Sequence, residues 1–217
     1  MSELPILYSF RRCPYAMRAR MALAASGIEV ELREIILRDK PAHMLALSAK
    51  GTVPVLWVEQ SQVIDESRDV MAWALAQSDP FNWLARADEG RIDAFDERFK
   101  HHLDRYKYAT RYADEVDNVL LHRAACHDML RQLEPDLTAD WLGGGEAGLT
   151  DVAILPFVRQ FRIADSDWFD NELGLPRVHA WLQRFLAWPV FIAVMEKYPL
   201  WQAETSGVRF QPIIEVR

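Results

Sequence analysis

The spacing of apolar and polar residues changes along this chain, and the change divides it into two halves. Leu4 to Phe10 reads as a short apolar strand, and Ala16 to Ala25 is dense in strong helix formers. That helix stops before Gly27, which suits the left-handed position after a helix, and Pro14 suits its first turn, where an N–H would lack an intrahelical partner. Val30 to Leu37 reads as a second strand, Pro41 to Ser48 as a short helix, Val55 to Val58 as a third strand and Gln62 to Ile64 as a fourth. Gln60 and Ser61 suit the turn between the last two strands. Arg68 to Gln77 closes this half as a helix entered through Glu66-Ser67. The order β-α-β-α-β-β-α has a parallel crossover followed by a hairpin, so it predicts a mixed sheet carrying helices.

After Ser78-Asp79-Pro80, a linker signal, strand patterns largely vanish. Arg91 to Tyr112 and Glu115 to Leu133 carry apolar residues at helical spacing, Gly143 to Gly145 marks a turn, and further helices start near Thr150, Pro176 and Val190. This predicts an α+β thioredoxin-like domain over 1–78 followed by an all-helical domain over 79–217. The tail from Gly207 to Arg217, with Pro212 and several β-branched residues, matches neither period and receives no assignment.

Half of the 217 residues are apolar, enough for one large domain or two small ones. A net charge of −7 argues against a nucleic-acid surface, which needs clustered Lys and Arg. Cys13 and Cys126 are too few for a disulfide framework, and nothing near them has metal-ligand spacing, so the expectation is a cytoplasmic protein without a metal. No basic leader precedes an apolar run, and no stretch is long enough to span a bilayer.

Cys13 carries the sharpest chemical signal because it falls at the N-cap of the first helix. There the free backbone N–H groups and the helix dipole favour an anion, so a thiol normally near 8.5 can titrate at roughly 3.5–7.5. Arg11, Arg12, Arg18 and Arg20 form a local basic cluster, either a solvated helix face or a stabiliser of a thiolate or anionic ligand. Val53-Pro54 is either an ordinary turn or a cis bond that presents the Val53 backbone edge for pairing with an extended peptide. Glu66-Ser67 is either a simple helix cap or a cradle for a zwitterionic amino-acid head. In the second reading the carboxylate takes the ammonium, while the hydroxyl and a free N–H take the carboxylate. His101 and His102 read as a solvated face, Cys126 as core, and Phe99, Tyr106, Tyr108, Trp181 and Trp188 as core or the lining of an acceptor pocket.

Taken together, Ser9-Phe10-Arg11-Arg12-Cys13-Pro14-Tyr15-Ala16, Asp39-Lys40-Pro41, Gly51-Thr52-Val53-Pro54-Val55-Leu56 and Asp65-Glu66-Ser67 resemble the glutathione transferase superfamily, most closely its cysteine-containing, omega-like branch. The resemblance implies that glutathione is the co-substrate, with Cys13 facing its sulfur and Lys40 reaching its glycyl carboxylate. It also implies that Val53 pairs with the cysteinyl unit ahead of a cis Pro54, and that Glu66 and Ser67 hold the γ-glutamyl end. A homodimer with an acceptor pocket where the domains meet is the family expectation. In the helical half, Leu149-Thr150-Asp151-Val152-Ala153 resembles the family's buried capping box, but Gly148 stands where a Ser or Thr is expected. Tyr8 and Ser9 lie near positions where other classes carry a catalytic hydroxyl, and both read as structural.

The function then turns on Ala16. A dithiol oxidoreductase needs a second cysteine three residues after the first, and this chain has an alanine there. The expected activity is therefore a glutathione-dependent thiol transferase or reductase that acts by exchange on a small hydrophobic, disulfide or glutathionylated substrate. Two alternatives stand beside it: conjugation of glutathione to electrophiles, and a non-enzymatic binding protein of the same fold.

Overall fold

The computed structural model describes residues 4–59, 61–115 and 118–211, so Gln60 and Pro212 lie outside the description. The chain forms two compact units. One runs to Phe81 and resumes at Trp188; the other is Asn82–Ala187.

In the first unit, β1 (Ile6–Ser9), α1 (Pro14–Ala25), β2 (Val30–Glu34), α2 (Ala42–Leu47), β3 (Val55–Val58), β4 (Gln62–Ile64) and α3 (Ser67–Gln77) follow the expected order. The sheet order is β4-β3-β1-β2-β5, where β5 is Val208–Phe210. Only the β1–β2 pair is parallel, because α1 carries the chain back across the sheet between them. Leu7 is central, opposite Leu32 on one side and Leu56 on the other. The second strand ends three residues earlier than its apolar run predicts, because Ile36 and Asp39 close a turn on each other.

Helix α1 is buried on all sides from Ala16 to Ala25. It stops in a left-handed cap: Gly27 has φ +70°, its N–H reaches the Ala24 carbonyl, and the Ile28 N–H reaches the Leu23 carbonyl. Arg18 and Arg20 are buried with the rest, at 2% and 1% exposure, so they do not form a solvated helix face.

The domain boundary also differs from the expectation. Residues beyond Trp188 do not stay with the helical unit but return to the sheet. Helix α10 (Pro189–Val194) packs on α1, the Trp201 N–H bonds the Glu34 carbonyl, and β5 pairs antiparallel with β2. The physical reason is that β2 would otherwise leave one row of backbone groups unpaired, and β5 supplies partners from Val30 to Leu32.

The second unit is helical among the described residues. Helix α4 (Glu89–Ala94) passes through a π-helical stretch, Phe95–Phe99, into α5 (Lys100–Lys107). Then come α6 (Val119–Leu133), α7 (Leu149–Ala164), α8 (Ser166–Glu172) and α9 (Pro176–Ala187). Helix α8 has no counterpart in the apolar pattern because it buries only Phe169; its start is set by Asp165, whose carboxylate accepts from the Trp168 N–H. Phe99, Trp181 and Cys126 are core. His101 is exposed, whereas His102 is half-buried and meets His122 at 2.8 Å between their Nδ1 atoms, so only part of that pair is a solvated face.

Asp151 organises this unit. Fully buried, its carboxylate accepts from the N–H groups of Leu142, Gly143 and Gly148 at 2.9, 3.1 and 2.9 Å and from Trp181 Nε1 at 2.8 Å. Burial nevertheless holds its carboxyl above the ordinary range, and those four donors oppose the shift. The missing Ser or Thr at position 148 has a steric cause. A Cβ there would lie 2.4 Å from Arg86 Cβ and 2.6 Å from the Arg86 carbonyl oxygen. Serine is ordinarily as good an N-cap as glycine or better. Gly148→Ser is nevertheless expected to destabilise the protein by about 1–3 kcal/mol through overpacking, measured as a lower urea midpoint with unchanged slope.

Candidate functional site

Cys13 sits in extended conformation (φ −74°, ψ 125°) as the N-cap of α1, with Pro14 in the first turn. Its N–H is held by the Phe10 carbonyl at 3.0 Å, and its own carbonyl accepts from the Met17 N–H at 2.9 Å. The thiol is half-buried, and Sγ lies 3.7 Å from the Val53 carbonyl oxygen. The Val53–Pro54 bond is cis, and Val53 and Val55 belong to an apolar cluster with Tyr8, Ala16, Ile35 and Met44 against which Cys13 packs.

The segment from Ser48 to Pro54 contacts Cys13, Asp65 and Glu66 and runs close to Lys40. The Ser48 hydroxyl donates to Asp65 at 2.6 Å, which holds the Asp65 carboxyl below its ordinary range. Lys50 Nζ stands between two carboxylates, 2.7 Å from Glu66 and 3.1 Å from Asp65, and Glu66 first and Asp65 second raise its pKa. Gly51, at φ +60°, has Lys40 packed across it: a Cβ there would meet Lys40 Nζ at 3.4 Å and Leu45 at 3.3 Å. Val53 then faces the thiol.

Glu66 is the N-cap of α3, and its carboxylate is exposed. Ser67 behaves differently. It is buried, and its hydroxyl oxygen accepts from Arg18 Nε at 3.0 Å, which leaves the hydroxyl able to donate its proton to a ligand. Lys50 and Ser48 carried no signal in the sequence, since an exposed lysine and a serine outside any motif are ordinary surface residues. Here they fix the orientation of the acidic pair.

The geometry around Tyr8 is that of a structural residue. It is fully buried, its hydroxyl accepts from Arg33 Nη1 at 2.7 Å and lies 2.6 Å from His43 Nδ1, and Trp201 meets its ring edge-on. Ser9 is likewise buried, with its hydroxyl accepting from Arg20.

Models for the glutathione S-transferase N-terminal domain and C-terminal domain match residues 7–81 and 82–184. The chain belongs to the glutathione S-transferase family. It is 43% identical over 61 residues to mouse glutathione S-transferase omega-2, an overlap of 28% of this chain and 25% of that protein. The chain thus matches a quarter of the length of that omega-class relative. A longer match, 28% identical over 214 residues and covering 82% of this chain and 84% of the relative, is a rice (Oryza sativa subsp. indica) protein named a probable glutathione S-transferase. Among solved structures, a glutathione S-transferase from Rhodospirillum rubrum superposes with a TM-score of 0.70 at 20% identity, covering 94% of this chain and 96% of that one. A family member from Pseudomonas fluorescens, solved with two glutathione bound, gives 0.69 at 18% identity, covering 90% and 94%. These likenesses establish the transferase fold. No helix among the described residues is long and apolar enough to cross a membrane, and no three or more His, Cys, Asp or Glu among them are grouped so as to hold a metal ion.

Burial raises the pKa of the Tyr8 hydroxyl above its ordinary value of 10.0, with the Arg33 hydrogen bond opposing the shift. An unfolded tyrosine loses its proton first, so the contribution of Tyr8 to stability is complete below pH 10 and is lost as pH rises through its higher folded value. The urea midpoint is therefore expected to fall above pH 10, and to fall less steeply in Tyr8→Phe. The slope left in that variant is assigned to Tyr106, Tyr198 and the Cys126 thiol, which burial raises in the same direction, less the opposite contribution of Arg20, which burial lowers.

Proposed function

We propose that this glutathione transferase is a monothiol exchange enzyme, with Cys13 as its nucleophile and glutathione as its co-substrate. The observation that carries the reading is a single thiol at a helix N-terminus, 3.7 Å from the Val53 carbonyl beside a cis proline, with no resolving cysteine in its unit. Position 16, where a dithiol enzyme keeps its second sulfur, is a fully buried alanine. Cys126 belongs to the other unit, where it is buried and its thiol donates to the Phe99 carbonyl; burial pushes its pKa far up.

The chain's own groups fit the ends of glutathione. Glu66 and Asp65 already hold an ammonium, that of Lys50, so the pair suits the γ-glutamyl ammonium. Lys40, braced against Gly51, supplies a cation for the glycyl carboxylate, and the Val53 backbone supplies a hydrogen-bonding edge for the cysteinyl peptide. The Ser67 hydroxyl proton and the first turn of α3 are suited to the γ-glutamyl carboxylate.

The chemistry is two successive exchanges. The Cys13 thiolate attacks the glutathionyl sulfur of a mixed disulfide, forms a Cys13–glutathione disulfide and releases the acceptor as its thiolate, which takes a proton from solvent. A second glutathione, as thiolate, then attacks that disulfide at the glutathione sulfur, releasing oxidised glutathione and restoring Cys13. The sum converts one mixed disulfide and one glutathione into one thiol and one oxidised glutathione.

Cys13→Ser is expected to lower turnover of a glutathione mixed disulfide by a factor on the order of a hundred or more while calorimetric glutathione binding persists. Full turnover in that variant would overturn the reading. Turnover of an aryl halide exceeding that of the disulfide in the parent protein would favour conjugation instead.

A further inference from the structure

Two buried charges are used by nothing in the exchange chemistry. Arg20, on α1, and Glu34, at the end of β2, lie at 1% and 7% exposure. Both converge on the backbone of one residue, Arg11, two residues before the thiol. The Glu34 carboxylate accepts from the Arg11 N–H at 2.7 Å, and Arg20 Nη2 donates to the Arg11 carbonyl at 2.9 Å. The loop that delivers Cys13 is thus gripped at both polar groups of a single residue by opposite charges.

The grip is braced from three directions. Arg20 Nη1 donates to the Ser9 hydroxyl on β1, and Nε donates to the Val194 carbonyl at the end of α10 at 3.1 Å. Arg11 Nη1 reaches the Met195 carbonyl at 3.4 Å, and the backbone carbonyl of Glu34 accepts from the Trp201 N–H at 2.8 Å. A residue gripped this way has little freedom to move, and Cys13 is tied to the same turn through the Phe10 carbonyl.

We propose that Arg20 and Glu34 are positioning residues for Cys13, clamping the Arg11 backbone from both sides and setting, with opposite signs, the charge environment in which the thiolate forms. This rests on the reading of Cys13 as the reactive thiol. The groups facing the clamp support it. Burial lowers Arg20 to about 10, Glu34, Cys13 and then Tyr198 oppose that shift, and Arg11 adds to it; Arg20 therefore remains a cation at neutral pH and interacts with the thiol. Burial raises Glu34, against the Arg11 N–H, Arg20 and the Arg11 side chain. Tyr198, from the segment after α10, is itself raised to about 12, by burial first and by Glu196 beyond it, so it stays neutral in the working range.

The test is the pH dependence of Cys13 alkylation by iodoacetamide in the full-length protein, followed by mass spectrometry of the Cys13 peptide so that Cys126 does not contribute. Arg20→Met removes the cation and is expected to raise the alkylation midpoint, on the order of half a pH unit or more. Glu34→Gln keeps an oxygen for the Arg11 N–H, removes the anion and is expected to lower the midpoint. A role in folding alone would reduce stability in both variants without moving the two midpoints in opposite directions. Unchanged midpoints in folded variants, or shifts of the same sign, would overturn the proposal. Should Arg20→Met not fold, Glu34→Gln decides alone: a lowered midpoint supports the clamp and an unchanged or raised one overturns it. A parent protein whose Cys13 resists alkylation until well above neutral pH would instead defeat the monothiol reading, which separates the two failures.

Discussion

The burial of α1 on every side is the constraint from which the rest of the first unit follows. A helix sunk in a core has to be apolar or has to bring partners for whatever is not, and this one carries two guanidinium groups inside. An unpaired buried charge would cost several kcal/mol, a large share of a net stability of roughly 5–15 kcal/mol. Acceptors must therefore be delivered to α1 from elsewhere. Arg18 receives the hydroxyl of Ser67, at the first turn of α3; Arg20 receives Ser9 from β1, the Arg11 carbonyl and the Val194 carbonyl from α10. The return of the C-terminal segment to the sheet is in this sense a demand of Arg20, and β5 completes on the β2 edge what α10 begins.

A second consequence concerns where chemistry can happen. With its flanks covered, α1 presents its N-terminus, and that is where the half-buried Cys13 stands. The opposite side of the thiol is supplied by Val53, in a segment from Ser48 to Pro54 that meets the thiol through a backbone carbonyl and the acidic pair through the Ser48 and Lys50 side chains. Gly51 adopts a left-handed conformation with Lys40 and Leu45 close behind it, so a side chain at that position would meet both backbone strain and a contact tighter than most.

The parts of this arrangement that could be read in the sequence are those whose causes are local. Cys13-Pro14 marks a helix start because proline suits the first turn, and Gly27 marks its end because the left-handed cap favours glycine. What escaped the sequence has distant causes. Arg18 and Arg20 read as either a solvated face or a stabiliser of an anion, and nothing local reveals their burial or their acceptors, one of them 174 residues away at Val194. Strand β5 is three residues long and becomes a strand only by pairing with β2. Gly148 looks like a weakened cap because nothing in the pattern reveals that the backbone of Arg86 fills the space a side chain would need. Lys50 carries no motif, yet it joins the acidic pair at the head of α3.

Packing also bears on the proposed single-sulfur chemistry. Ala16 is fully buried in the cluster with Tyr8, Val53 and Val55 against which Cys13 itself packs. A second thiol at that position would sit among apolar side chains, where burial favours the protonated form over the thiolate that resolution of a mixed disulfide needs. The first turn of α1 thus places one sulfur at the helix end and a buried methyl group at the position where a dithiol enzyme keeps its second sulfur. On the proposed reading the resolving thiol has to come from outside the chain, and the acidic pair, Lys40 and the Val53 edge lie along the wall that would receive it.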